Sequence, residues 1–419
     1  MEENLKPEVM APAGSFESLA AAINAGCDSI YFGVNQLNMR ARSSHNFTIE
    51  ELKQVAETCK AAKVRSYITL NTLLYEHDMA LMKKIISAAK ESGINAVIVQ
   101  DMSAIQYAQS IGMPIQASTQ LSISNFESVK FYAQFADTVV LAREVDLMMM
   151  KIICDKIKEN DVRGPSGELV KIEVFVHGAL CIAQSGRCQM SLLSSNTSAQ
   201  RGACLHECRK TYIVKEEETG QEMKIRDGFI LSPKDLCALP FLDQLIDSGV
   251  SVLKIEGRGR SPQYVDTVIK VYREAVDAIA AGEYTTEKID AWMERLGEVY
   301  NRGFSDGYYL GKTLPEWSGY SGNRAKTQRA FVGLVNHYFP KAGMAEVKTQ
   351  AHDLAKGDRI VIMGKTTGVV KGEVTSMKRE EEFIEKSTHP DVITFPVAEK
   401  VRPGDKVYIL KKRSLDVIA

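Results

Sequence analysis

Short apolar runs alternate along most of the chain with stretches whose apolar residues recur every three or four positions. The runs Val9–Ala11, Ser29–Phe32, Ser66–Leu70, Ala96–Val99, Ile115–Ser118, Thr138–Leu141, Lys171–Val176 and Val252–Ile255 read as strands. Between them Phe16–Asn24, Ile49–Ala62, Ala80–Ser92 and Asp146–Glu159 read as amphipathic helices. An alternation repeated about eight times predicts an α/β fold, a (β/α)8 TIM-like barrel, with an open doubly wound sheet as the alternative. A ninth strand candidate, Gly228–Leu231, is assigned to the insertion Lys210–Ile230, where Glu217–Gly220 offers a hairpin turn. Ser261 to Leu296 reads as helical, with Pro262 allowed in the first turn.

The texture then changes. Gly311 to Gln328 is polar and glycine-containing, and from Arg329 short strands are divided by KGD, GKTTG and RPGDK turns, the pattern of a small β-barrel. The division is a barrel domain over residues 1–310 with a cysteine loop at 178–230, a linker at 311–328, and a C-terminal β-barrel at 329–419.

At 419 residues, 45% hydrophobic and 25% charged, this is an ordinary globular composition, long enough for two or three domains. The net charge of −1 implies no global attraction to nucleic acid. The tail carries sixteen Lys or Arg against twelve Asp or Glu from Arg329 onward, a mild surplus that suits an RNA-facing module and equally an ordinary solvated surface. The opening MEENLKPEVM has neither a basic start nor an apolar run, and no later run approaches eighteen apolar residues, so the expectation is a cytoplasmic protein with no membrane contact.

The strongest chemical signal is the set Cys181, Cys188, Cys204 and Cys208, separated by six, fifteen and three residues within Glu173–Cys208. Gathered thiolates suit zinc, copper(I) or an iron–sulfur cluster. Structural zinc sites usually include a pair with two residues between the cysteines, which is missing here, whereas iron–sulfur ligation is looser in spacing. Ordinary thiols or two disulfides are the bland alternative. Cys27, Cys59, Cys154 and Cys237 lie in apolar segments and read as buried thiols.

The run EVFVHGALCIAQSGRCQMS resembles the signature of peptidase family U-32, the collagenase-like proteases, through Glu173, Phe175, Gly178, Cys181, Gly186, Cys188 and Ser191. MAPAGSFESL, RARSSHNF, STQLSISN, LARE, RGACLHECR, LSPKDLC and KIEGR extend the likeness over about residues 8 to 310. VRPGDKVYIL at the end resembles the second-domain barrel of elongation factor Tu. The family name implies proteolysis. Members that share the four cysteines resemble RNA hydroxylases instead: they carry an iron–sulfur cluster and use prephenate to make 5-hydroxyuridine at the tRNA wobble position or hydroxycytidine in ribosomal RNA. Related members hydroxylate the ubiquinone ring, often as heterodimers. The branch that this chain resembles is tRNA wobble-uridine hydroxylation. The likeness thus implies Cys181, Cys188, Cys204 and Cys208 as ligands of a 4Fe–4S cluster (zinc as alternative), prephenate as a small dicarboxylate co-substrate, tRNA as partner, and a paralogous subunit or homo-oligomer.

In a barrel, chemistry belongs where strands end. Asn71, Gln100, Ser118, Gln120, Arg143, His177, Glu256 and Arg258 follow strands directly. Arg40, Arg42 and Arg143 suit a carboxylate or phosphate, which guanidinium forks accept bidentately. Together with Asn71, Gln100, Ser118, Gln120 and Arg258 they form the expected substrate-binding set. Lys254 and Glu256 share one strand face, where, pointing inward, they would form a buried ion pair, and with Glu173 and His177 they are the catalytic candidates. Neither a His-Glu-x-x-His zinc helix nor a Gly-x-Ser-x-Gly elbow occurs, so the two most legible hydrolase signals are missing. A Cys181–His177 protease dyad stands as one alternative, and it leaves three nearby cysteines without a role; a non-catalytic subunit that binds RNA or a paralogous partner is the other.

Overall fold

The computed structural model describes residues 6–223, 231–312, 316–319 and 322–413. Eight parallel strands, β1 (Glu8–Pro12), β2 (Ser29–Gly33), β3 (Arg65–Leu70), β4 (Ala96–Val99), β5 (Ile115–Ala117), β6 (Thr138–Val140), β7 (Lys171–Ala179) and β8 (Val252–Ile255), pair in sequence order. Strand β8 pairs with both β7 and β1, which closes the ring and rules out the open doubly wound sheet.

The helices that follow the strands are α1 (Phe16–Asn24), α2 (Leu52–Ala61), α3 (Met79–Glu91), α4 (Met102–Ser110), α5 (Phe126–Tyr132), α6 (Leu147–Glu159), α7 (Leu242–Asp247) and α8 (Pro262–Ala280). Five start on a side-chain cap that the sequence supplies just after a strand: Ser15, Asp101, Asn125, Asp146 and Ser261 each accept a hydrogen bond from a first-turn N–H. Each cap contributes about 1 kcal/mol. Helix α2 begins at Leu52 rather than Ile49, because Thr48 and Glu51 bond reciprocally and hold the intervening residues in a turn. The long helix expected from Ser261 to Leu296 is two helices. Gly282 adopts φ +70°, and Thr285 caps the second helix, Thr286–Glu298.

Both faces of the barrel wall are buried, as parallel sheets require. Val9, Ile30, Phe32, Ile68, Val97, Val174 and Leu253 face the helices in the main core, while Met10, Tyr31, Tyr67, Ala96, Ile98 and Val252 fill the barrel's interior. The Glu217–Gly220 turn does join two short antiparallel strands, Val214–Lys215 and Glu222–Met223. Of the ninth strand candidate, Gly228–Ile230 lies outside the described residues.

From Thr327 onward eight strands form one antiparallel sheet around a second core that includes Val332, Val347, Ile362, Val370, Ile393, Phe395 and Val407. Its end strands, Gly368–Glu373 and Glu382–Phe383, are not paired with each other among the described residues. The GKTTG stretch is the tight turn of a hairpin in which Gly364 pairs with Gly368. That turn docks on the barrel. Val361, Met363 and Val369 pack with Ala21 of α1, and the Thr367 carbonyl accepts from Asn24 Nδ2 at 3.1 Å. Asp266 of α8, 1% exposed, pairs with Lys270 at 2.7 Å and with Lys371 of the sheet at 2.9 Å.

Candidate functional site

Strand β7 does two jobs. Glu173 to Phe175 pair with β8 inside the barrel, and then the register shifts so that Val176 is an extra residue opposite Lys254 and Ile255. Beyond this bulge, His177 to Ala179 pair antiparallel with Asp235–Cys237, which itself pairs with Phe304–Ser305. The strand therefore runs past the barrel wall and releases the chain at Leu180 above the mouth. Arg209 fixes that exit by donating to the carbonyls of Leu180 and Pro233, both at 2.6 Å.

The segment that follows lies over the mouth. The Leu73 N–H donates to Gln200 O at 3.1 Å, and Gln100 Nε2 approaches Gln200 Oε1 at 3.3 Å. Arg201 donates to Leu73 O at 2.8 Å, pairs with Asp78 and covers the Tyr75 ring. Gly202 O accepts from Arg42 N at 3.2 Å. Held this way, Cys181, Cys188, Cys204 and Cys208 all line one cavity at the C-terminal end of the strands, each as a free thiol. Burial pushes the Cys208 thiol up, and the Cys181, Cys204 and Cys188 thiols add to this against Arg209.

The same cavity is lined by eight further residues that the sequence singles out: Arg40, Asn71, Ser118, Gln120, Arg143, Lys254, Glu256 and Arg258. Their roles differ. Glu256 Oε1 pairs with Arg40 at 2.8 Å, and Oε2 lies 3.1 Å from the Tyr31 hydroxyl. Burial opposes ionisation of this carboxyl, but Arg40, Arg143 and Arg258 outweigh it and bring its pKa down to about 2. Arg258 is buried and donates to Thr69 Oγ1 and Asn38 Oδ1, both at 2.8 Å; burial lowers it to about 10. A Cβ on Gly33 would collide with that guanidinium, so glycine is needed there for close approach. Arg143 stacks over the Phe175 ring at 3.9 Å and commits one donor to Ala179 O at 2.6 Å. Asn71 Nδ2 donates to Gln120 Oε1 at 3.2 Å, and that oxygen also accepts from Ser118.

Four expected site residues stand apart from the cavity lining. Gln100 supports it from behind by donating to Asn71 O at 2.9 Å. Arg42 is exposed and contributes its backbone alone. Glu173 is fully buried below the cavity and accepts from Lys254 Nζ at 2.6 Å, while its second oxygen has no hydrogen-bond partner. His177 is turned by the bulge toward α8, where its ring meets Tyr264, Tyr272 and Phe304. Burial lowers its pKa to about 4.

A second cavity shares Cys181, Cys204, Cys208, Arg40, Arg143 and Glu256 with the first and adds Arg209, Arg260, Arg302 and Tyr300. Sequence reading did not select these four. Arg209 follows Cys208 directly and Arg260 lies two residues past Arg258, but nothing in the sequence places Tyr300 or Arg302 against the cysteines. His206 is here too, 3.4 Å from Arg40, and burial among Arg40, Arg209, Arg302 and Arg260 lowers it to about 4.

Comparison with known proteins places this geometry. The chain is 48% identical over 406 residues to a collagenase of Porphyromonas gingivalis, covering 97% of this chain and 98% of that protein. It is 29% identical over 409 residues to tRNA hydroxylation protein P1 of Bacillus subtilis, covering 96% and 94%. With tRNA hydroxylation protein P of Helicobacter pylori it shares 31% over 316 residues, covering 72% and 71%. The model described as peptidase family U32 matches residues 14–319, which include strands β2 to β8 of the barrel and all four clustered cysteines, and the chain belongs to that family.

Proposed function

We propose that this chain is an RNA-modifying enzyme that hydroxylates the wobble uridine of tRNA at C5, with a 4Fe–4S cluster on Cys181, Cys188, Cys204 and Cys208 and prephenate as co-substrate. The observation that carries this reading is the convergence of four thiols with Arg143, Lys254 and Glu256 on one cavity at the barrel mouth. Relatives named for tRNA hydroxylation, alignable over most of this chain, supply the substrate class.

The donor set fits the cluster by chemistry and by placement: four soft ligands face one space. A tetrahedral zinc would need its sulfurs about 3.8 Å apart, from zinc–sulfur bonds of about 2.3 Å. Among the described residues no three Cys, His, Asp or Glu side chains are gathered closely enough to hold a single ion. The preference for an iron–sulfur cluster over zinc rests on the cysteine spacing, which lacks the two-residue pair usual in structural zinc sites. When bound, the cluster would supply one-electron chemistry.

The chain's own residues handle charge and protons. Arg40 is committed to Glu256, and Arg258 to Thr69 and Asn38. Arg143 borders the cavity, spends one donor on Ala179 O and has no carboxylate within ion-pairing distance among the described residues, so the rest of its fork is available to a carboxylate of the co-substrate. Its stacking on Phe175 fixes the fork before the ligand arrives. Glu256, held ionised by its arginines, does not donate a proton at neutral pH and serves as a fixed negative charge and hydrogen-bond acceptor. Lys254 borders the cavity and is anchored from below by Glu173, so its ammonium is the donor on the barrel floor.

Anaerobically purified protein is expected to hold near four iron and four acid-labile sulfide per chain, lost in Cys204→Ala. Expressed in a host lacking its own enzyme, the wild type restores 5-hydroxyuridine in tRNA and Arg143→Gln lowers it at least tenfold, about 1.4 kcal/mol of lost binding. Stoichiometric zinc without iron would overturn the assignment.

The name of the Porphyromonas relative favours a second reading, a collagenase-like peptidase. Its Cys181–His177 dyad is not formed, because His177 faces α8. Gelatin cleavage that survives replacement of all four cysteines by serine would select this reading.

A further inference from the structure

The cavity on the outer side of the cysteines has an unusual charge balance. Five arginines, Arg40, Arg143, Arg209, Arg260 and Arg302, border it. Arg40 is neutralised by Glu256, and Arg302 by Asp235 at 2.9 Å. Among the described residues no carboxylate lies within ion-pairing distance of Arg143, Arg209 or Arg260. Gathering three uncompensated guanidinium groups costs free energy unless an anion completes the site.

The shape selects among anions. A neighbouring groove shares Gly259, Arg260 and Tyr300 with this cavity and reaches Gln328 and Arg329 at the start of the C-terminal sheet; its one carboxylate, Glu298, is paired with Arg359 at 3.2 Å. Arg260 lies over the Tyr300 ring at 3.5 Å, and Arg329 over Tyr408 at 5.5 Å. An isolated phosphate or carboxylate would fill one end of such a groove. Spaced cations interleaved with aromatic rings match the repeating phosphates and bases of a single strand.

We infer that this groove is a phosphate track, holding the RNA backbone through Arg209 and Arg260 beside the cysteines and passing it over Tyr300 toward Arg329. The inference rests on the RNA-modifying reading and adds the path of the strand. The target base would enter the cysteine-lined cavity from the side opposite the barrel floor, where Lys254 and Glu256 stand.

Two titrations of the full-length protein test it. Inorganic phosphate is expected to raise the melting temperature of the wild type and not that of Arg260→Gln; no effect on the wild type overturns the oxyanion site. With a stem–loop oligoribonucleotide, Arg260→Gln should bind about fivefold more weakly, and its slope of log affinity against log salt should shrink by about one. Arg329→Gln, at the far end of the groove, should give a smaller drop, so the result does not hang on one variant's folding. RNA binding whose salt slope is unchanged in both variants overturns the track alone. Wild-type protein that binds phosphate through Arg260 but no RNA overturns the track and the RNA-modifying reading together.

Discussion

His177 is the residue at which sequence and structure part most clearly. Its position two residues past Phe175 implies a cavity-facing side chain, by simple strand alternation. The extra residue in the β7 ladder reverses that parity, and the ladder's register depends on β8, some seventy residues away in the chain. No local pattern encodes it. The consequence is measurable, because the buried imidazole stays neutral down to about pH 4 whereas in the unfolded chain it protonates near about 6.5. Its contribution to stability is complete above pH 6.5 and drains away as the pH falls toward 4, by up to about 3 kcal/mol. His177→Gln should flatten that part of the stability–pH curve, read from urea midpoints at pH 7 and pH 4.5. Lys254 and Glu256 were legible as neighbours on one strand face, but the ion pair expected between them does not form. Lys254 reaches down to Glu173, and Glu256 across to Arg40.

At the scale of elements, the eight barrel strands could be read to within a few residues, because a wall buried on both sides leaves uninterrupted apolar runs. The strand Asp235–Cys237 escaped notice. Its three residues include a charged Asp235 that is buried only because Arg302 pairs with it from another segment. The end of β7 also depends on Gly178, which has φ +105° and whose Cβ, if present, would sit 2.5 Å from the Glu256 carbonyl. Gly178→Ala should therefore push apart the strand end that carries Cys181 and the loop that carries Glu256. The expected cost is about 1–3 kcal/mol, with a disproportionate loss of bound iron relative to the fall in melting temperature. Retention of full iron content in a destabilised variant would separate backbone strain from the cysteine site.

For the whole molecule, the composition and turn pattern made a separate C-terminal β unit legible, while its seat on the barrel was not. That seat is a glycine turn against α1 and a buried carboxylate, Asp266, shared by lysines from both sides. The two lysines are about two-fifths exposed, so solvent screens the pair. Asp266→Asn should loosen the seat by about 1–2 kcal/mol. Calorimetry is then expected to resolve two transitions where the wild type unfolds in one. The cysteine segment behaves differently. It leaves the barrel after Ala179 and returns at Asp235, and these two residues are paired directly. However long the intervening chain, its ends are already tied, and the ring of eight strands closes through β8 and β1 without it. The segment is a cassette: its chemistry can be exchanged while the ring of strands beneath keeps its own hydrogen bonds.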